Sequence, residues 1–494
     1  MRDSSPNYPL TDPDAVSETA VREDRTFLGH PVGLFILFFT EMWERFSYYG
    51  MRALLKLYLV HYLFVTSRQV LQGGGGATVA GDPDQVLGWT FIRDMIGHGS
   101  AMAPGGYASI IYGWYTGLVY LTPVIGGYIA DRYWGQRKAV VVGGTLMAVG
   151  HFLMAFENWF FLALLFLILG NGAFKPNIST QVGRLYSEDD PRRDGAFTIF
   201  YMGINLGAFL CTFVCGTLAS TLGWHWGFGA AGVGMLLGLG VYGMGQRFLA
   251  EDSVSPQARN QLLAAAGQRL NADEWKRVLA LIGLCLLNVV FWAVYEQQGN
   301  TMQSFVDDHT AWPVLFGFAM PSTWFQSFNP LFIFLLAPLL GMFWARQART
   351  GREPSSVAKM AIGSCILGLS FIILAYGSAL VTEAEPKASW VWPVLCVLFV
   401  TVGELYLSPV GLSLVSRVAP LRMVSRMMGL WFISSFLGNV LSGYIGALYE
   451  NHILDLAQFF LLLMVLGVVT GLSIWMFQRP LHRLMGDPGS GRSS

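Results

Sequence analysis

Along this chain the apolar residues come in long unbroken blocks. They show neither the strict alternation of half-buried strands nor the narrow stripes of soluble amphipathic helices. A helix needs roughly 20 mostly apolar residues to cross the hydrocarbon core of a bilayer. Twelve blocks approach or exceed that length, near 31–59, 106–130, 139–156, 159–181, 195–221, 226–248, 279–303, 322–345, 357–381, 390–413, 425–448 and 456–478. Only Glu157 and Asn158 separate the third block from the fourth, which predicts a tight helical hairpin. The stretch 60–105, with its run from Gly73 to Gly76, reads as a long excursion carrying at most a short lateral helix. The charged stretch 249–277 holds no span-length run and divides the blocks evenly. The pattern thus predicts an all-α integral membrane protein with 12 transmembrane helices in two six-helix bundles. A tail (1–30) precedes the first bundle (31–248), and the linker 249–277 leads to the second (278–480) and a short tail (481–494). A faint internal repeat supports the division: Gly170 lies six positions before Pro176 in the fourth block, as Gly403 does before Pro409 in the tenth.

Composition agrees with a lipid solvent. The chain is 53% hydrophobic and 13% charged, where soluble proteins carry about 25% charged residues. Its 57 glycines suit close helix packing in lipid. A formal net charge of zero gives no hint of a nucleic-acid partner. Residues 1–30 are polar and lack the apolar core of a cleavable signal, so the first span itself is expected to direct insertion. Basic residues set the orientation. With both termini in the cytoplasm, nearly all loop Lys and Arg fall on the cytoplasmic side, and only Arg68, Arg93 and Lys387 fall outside. The expected location is the inner (plasma) membrane.

Several charges interrupt the spans. Glu41, Glu44, Arg45 and Arg52 stand in the first, Lys175 in the fourth, Glu296 in the seventh and Glu404 in the tenth. Each costs roughly 2.5–3.5 kcal/mol at a span centre unless it pairs, meets water or works. Lys56 lies near enough to a helix end to reach the interface along its own stem. In the first span the spacing Glu41, Arg45, Tyr49, Arg52 follows the helical period, with Glu44 and Tyr48 beside it, so this stripe must face the bundle interior. Cations outnumber acids in the first half, whereas the second holds only acids. A chamber between them suits a dipolar ligand, its anionic end near Arg45 and Lys175 and its cationic end near Glu404. The i, i+4 spacing of Glu41 and Arg45, with Glu44 next in the chain to Arg45, also suggests that both acids hold Arg45 until one of them is protonated.

Other chemistries find little support. Cys211 and Cys215 lie one turn apart with no further ligand nearby and read as small packing residues; no disulfide framework is expected. The eight histidines are scattered, only His151 lies well within a span, and no HExxH motif or GxxxxGK loop occurs. The expectation is no enzyme, no metal and no ATP-driven pump.

Two segments carry a family resemblance. Gly126-Gly127-Tyr128-Ile129-Ala130-Asp131-Arg132-Tyr133-Trp134-Gly135-Gln136-Arg137-Lys138 resembles the signature between the second and third helices of the major facilitator superfamily, in which Asp131 would take part in a gating salt bridge. Glu41-Met42-Trp43-Glu44-Arg45-Phe46-Ser47-Tyr48-Tyr49-Gly50-Met51-Arg52 resembles the ExxER signature of the proton-dependent oligopeptide transporter family. Phe174-Lys175-Pro176-Asn177-Ile178-Ser179 and Phe200-Tyr201-Met202-Gly203-Ile204-Asn205-Leu206-Gly207 agree, over a likeness running from about residue 30 to 480.

The resemblance implies proton-coupled symport of di- and tripeptides into the cytoplasm by alternating access, with protons as coupling ion, no other cofactor, and a monomer in the lipid bilayer as the working unit. It assigns the peptide carboxylate to Arg45 and Lys175 with Asn205 nearby, and the amino group to Glu404 with Asn329. Tyr48, Tyr49, Tyr112, Trp292, Trp431 and Ser435 would line side-chain pockets. Arg52 with Glu296 would form an outer gate and Lys175 with Glu404 an inner one; Glu41, Glu44, Arg45 and Glu296 would couple the proton. Two departures stand out. Gly113 occupies the place of a histidine in some animal members, and 249–277 leaves no room for the extra helix pair of many bacterial ones. A rival on the same fold is a proton-coupled transporter of nitrate or another small anion, against which Glu404 argues.

Overall fold

The computed structural model describes residues 26–64, 83–97, 102–187, 190–250, 270–315, 317–420 and 423–485. Helix dominates them. α1 (Val32–Tyr58) runs on into a π turn, Leu59–Leu63. The short α2 (Trp89–Gly97) is the expected lateral helix of the long excursion, of which 65–82 and 98–101 lie outside the described residues. Then follow α3 (Pro104–Ile129), α4 (Gln136–Leu153), α5 (Phe160–Arg184), α6 (Arg193–Cys211), α7 (Thr217–Leu222) and α8 (Trp224–Gly245). The second half comprises α9 (Ala272–Tyr295), α10 (Thr301–Asp308), α11 (Phe328–Arg349), α12 (Ser356–Ala379), α13 (Val391–Val418), α14 (Val424–Glu450) and α15 (Leu456–Met485). α6 and α7 share one crossing through a π turn, and α9 and α10 share another through a 3-10 turn. Among the described residues this gives twelve bundle helices at the expected places. Ten are long and apolar enough to span a membrane on composition alone. The exceptions are α1, interrupted by its charges, and the short α4, which carries Arg137, Lys138 and His151.

Most of the expected linker, 251–269, lies outside the described residues. Its last residues belong instead to a helix. Asn271 caps α9 by accepting from the Glu274 backbone N–H at 2.8 Å, while the Glu274 carboxylate accepts from the Asn271 N–H at 2.9 Å. This reciprocal cap starts the helix at Ala272, several residues before its apolar part.

The chain repeats itself more fully than the Gly–Pro spacing foretold. Proline interrupts the second and fourth crossings of each half: Pro123 in α3, Pro176 in α5, Pro338 in α11 and Pro409 in α13. Glycine pairs match as well. A Cβ on Gly143 or Gly170 would meet the other's carbonyl oxygen at 2.6 Å, and one on Gly363 or Gly403 would do so at 2.7 Å. The third and fourth crossings of both halves therefore touch backbone to backbone, which only glycine permits.

Each half has its own apolar core, one around Leu54, Tyr58, Phe160 and Phe228, the other around Phe291, Phe305, Phe371 and Phe460. Exposed Leu335, Leu339, Met342 and Phe343 on α11 form the kind of outer belt that lipid covers. Cys211 and Cys215 are buried free thiols against which Gly50 packs, its Cβ position 2.6 Å from the Cys215 Sγ. His151 is fully buried in α4 as a packing residue.

The candidate substrate chamber

Call the end of the bundle where α1 begins the tail end, and the end where α1 finishes the far end. Between the halves lies a cavity of ≈ 380 Å³, within the range of about 300–1,000 Å³ usual for small-molecule sites. α1 contributes Glu41, Arg45, Tyr49 and Arg52 to its wall, the stripe that the helical period selects. Glu44 and Tyr48 are a fraction of a turn away and point elsewhere. Glu44 is fully buried and accepts from Arg45 Nη2 at 2.7 Å and from Asn171 Nδ2 of α5 at 3.3 Å. Arg45 Nε also lies 3.2 Å from Glu41 Oε1, so both acids hold the guanidinium. Tyr48 is not a pocket wall. It is buried in the first core, with the Arg45 guanidinium 5.2 Å from its ring centroid, and it backs that arginine.

Lys175 enters from α5, its Nζ 4.9 Å from the centre of the Tyr120 ring. Asn205 joins from α6, beside Tyr201. The second half supplies Trp292 and Glu296 at the end of α9, Asn329 from α11, Glu404 from α13, and Trp431 and Ser435 from α14. Asn329 Nδ2 donates to Glu404 Oε2 at 2.9 Å and lies 3.1 Å from Thr401 Oγ1. This fixes the carboxylate toward the chamber. Gly411 leaves room for the Trp431 indole, which a Cβ would meet at 2.1 Å. The cations of the first half and the acids of the second thus share one space.

The far end closes that space. Arg52 pairs with Glu296, and its Nε donates to the Tyr112 hydroxyl at 2.7 Å. Tyr112 is therefore part of the seal and does not line the chamber, because α3 and α14 draw together here. Gly299 approaches so closely that a Cβ would sit 1.9 Å from the Tyr112 oxygen. A Cβ on Gly113 would meet the Asn439 carbonyl at 2.6 Å and the Gly443 backbone at 2.8 Å, so a histidine could not fit this seam. Lys56 corrects an expectation. It does not reach an interface but is fully buried, with Nζ 2.9 Å from Glu450 Oε1. Beyond it His61 Nε2 meets Asp307 Oδ2 at 2.7 Å.

Among the described residues two salt bridges cross between the halves, Arg52–Glu296 and Lys56–Glu450, joined by the His61–Asp307 pair, which is ionic when His61 is protonated, and all three lie at the far end. Lys175 and Glu404 both face the chamber yet form no salt bridge with each other among those residues. Asp131 is exposed in the π turn Ala130–Trp134 near Gln136 and Arg184, and makes no salt bridge among the described residues. Sequence reasoning missed Asn171, Tyr120, Tyr201, Gln298 and Gln326 as site residues. Asn171 was within reach, since it precedes Lys175 by one helical turn.

Two helical halves around a shared charged chamber define a transporter of the major-facilitator fold, and comparison with known proteins narrows the class. The POT family model matches residues 137–266 and 257–462. The peptide transporter YePEPT of Yersinia enterocolitica is 33% identical over 94% of this chain and 97% of its own length. A di-/tripeptide transporter of Lactococcus lactis subsp. cremoris is 31% identical over 94% of this chain and 99% of that one. Among solved structures, a peptide transporter POT in complex with sulfate superposes with a TM-score of 0.78 at 32% identity, covering 94% of this chain and 97% of that one. A variant of a peptide transporter POT in complex with alafosfalin gives 0.77 at 32% identity over the same shares. The chain belongs to the POT family.

Proposed function

We propose that this protein carries di- and tripeptides inward across the plasma membrane by symport with protons, both tails lying in the cytoplasm. The observation that carries the reading is the composition of the chamber: Arg45 and Lys175 come from one half, and Glu404 with Asn329 from the other. Every peptide bears one carboxylate and one ammonium group, so fixed charges of opposite sign recognise both ends. Aromatic walls and water tolerate the side chains between them. A nitrate-sized anion would use only the cations and leave Glu404 facing empty space. The relatives' names point the same way.

In this reading the far end is the outside, and its inter-half contacts, Arg52–Glu296, Lys56–Glu450 and His61–Asp307, mark an inward-facing state. Lys175 and Glu404 would close the tail end in the opposite state. Proton coupling falls to Glu41, Glu44, Arg45 and Glu296. Glu41 Oε2 and Glu296 Oε1 are buried without hydrogen-bond partners among the described residues, which leaves each an oxygen able to take a proton. A proton on Glu41 or Glu44 would loosen the hold on Arg45 and free it for the peptide carboxylate. The working unit is taken to be the monomer, since one chain contains both walls of the chamber.

Uptake of labelled dialanine into liposomes, with pH gradient and membrane potential imposed separately, tests the proposal. An inward proton gradient is expected to drive accumulation that unlabelled dialanine abolishes and excess nitrate leaves intact. Accumulation that ignores the gradient, or that nitrate suppresses, would overturn it.

A further inference from the structure

Lys56 and Glu450 are a pair that the chamber does not use. Lys56 lies in α1 one turn beyond Arg52, fully buried, and Glu450 closes α14 in the other half. The ammonium has partners in every direction: Glu450 Oε1 at 2.9 Å, Asn300 Oδ1 at 3.1 Å, the Gly105 carbonyl at 3.3 Å and the Ser109 hydroxyl. Ser304 donates to Glu450 Oε1 at 2.7 Å. Two glycines leave the space for this cluster. A Cβ on Gly105 would meet Glu450 Oε2 at 2.1 Å, and one on Gly446 would meet Asn300 Nδ2 at 2.4 Å.

A leucine in place of Lys56 would seal the seam without any desolvation penalty, and a buried ion pair adds little net stability over apolar packing. What the pair adds is reversibility. Its attraction is strong only while the far end is dry. Once the end parts, water hydrates both ions and recovers much of the energy lost on separating them. An apolar seam has no such compensation, because its surfaces would be exposed to water on opening.

From this geometry we infer that Lys56 and Glu450 are positioning residues of the transport cycle, a second lock at the far end, distinct from Arg52–Glu296, that sets how often that end opens. The inference rests on reading the chain as an alternating-access transporter. Removing one partner leaves the other ion buried and uncompensated, which favours the open, hydrated far end. Exchanging the two charges keeps the lock.

The test uses the full-length chain with its native cysteines replaced and Ile333→Cys placed in the chamber wall, in vesicles whose protein orientation is fixed by protease access to a C-terminal tag. A membrane-impermeant maleimide is added at the far face. Lys56→Gln and Glu450→Gln should each speed labelling by at least roughly tenfold. The exchange Lys56→Glu with Glu450→Lys should return it to within about twofold of the parent. Should the single variants fail to insert, Ser304→Ala, which removes only the hydroxyl donated to Glu450, is expected to give a smaller increase of about threefold. Labelling no faster than the parent in the variants that insert, or an exchanged pair as fast as the single variants, would overturn the inference. Dialanine counterflow by the unaltered chain is measured alongside. Its absence would count against transport itself, whereas the labelling rates judge the lock.

Discussion

The two ends of the bundle are built from similar helices and yet held differently. At the far end α1 meets the second half through Arg52–Glu296, Lys56–Glu450 and His61–Asp307, while α3 and α14 approach backbone to backbone at Gly113 and Gly443. At the tail end Lys175 and Glu404 face the chamber, and no salt bridge joins the halves among the described residues. The contrast teaches how one scaffold serves two states. The far end is closed by charged groups that need each other, and the tail-end charges face the chamber, where in the proposed function a ligand supplies the missing partners.

The largest effect is expected from breaking the far-end tie directly. Glu296→Gln leaves Arg52 uncompensated in a site where its side chain is 13% exposed. Gradient-driven dialanine uptake should fall by at least about 100-fold, in line with roughly 3 kcal/mol for a broken buried pair. Liposome uptake at matched protein density checks it. Next in size, Glu44→Gln should lower accumulation under a pH gradient by about 30-fold, while counterflow without one stays within about threefold, since that step needs peptide binding but no net proton movement. Normal accumulation would remove Glu44 from the coupling group.

Gly299→Ala sharpens the comparison sterically. Its methyl would fall 1.9 Å from the Tyr112 oxygen, so the far end could not close fully. Uptake should drop about tenfold, and adding Tyr112→Phe, which removes that oxygen, should restore part of it. The smallest effect is expected at the tail end. Asp131→Asn alters a group that is exposed in this state, so equilibrium binding of dialanine should not change and net uptake should slow by only about threefold. A loss of binding would mean that Asp131 also supports the open tail end.

Much of this was legible in the sequence because lipid imposes simple rules. Twelve apolar blocks gave twelve helices, and the period of Glu41, Arg45, Tyr49 and Arg52 identified the chamber face of α1. What the period could not supply is how the second half sits against the first. Tyr112 shares a helix with the chamber-lining Tyr120 and was assigned to the wall, but the seam between α3 and α14 places it in the seal. Lys56 is close to a helix end, and only the proximity of Glu450, 394 positions later in the chain, makes it a buried ion. Tyr48 lies in the core for a local reason: one residue turns a helix by about 100°, enough to separate its ring from that of the chamber-lining Tyr49. Asn171 shows the reverse, a polar group one turn from a charge that the same period would have revealed.

The central claim is that one ligand bridges the cations of one half and the acid of the other. Competition against labelled dialanine counterflow addresses it with three compounds: dialanine, N-acetyl-dialanine and dialanine amide. The account predicts that dialanine competes and that blocking either terminus weakens competition by at least about tenfold. Equal competition by all three would mean that the charges of the two halves do not read the two ends of a peptide.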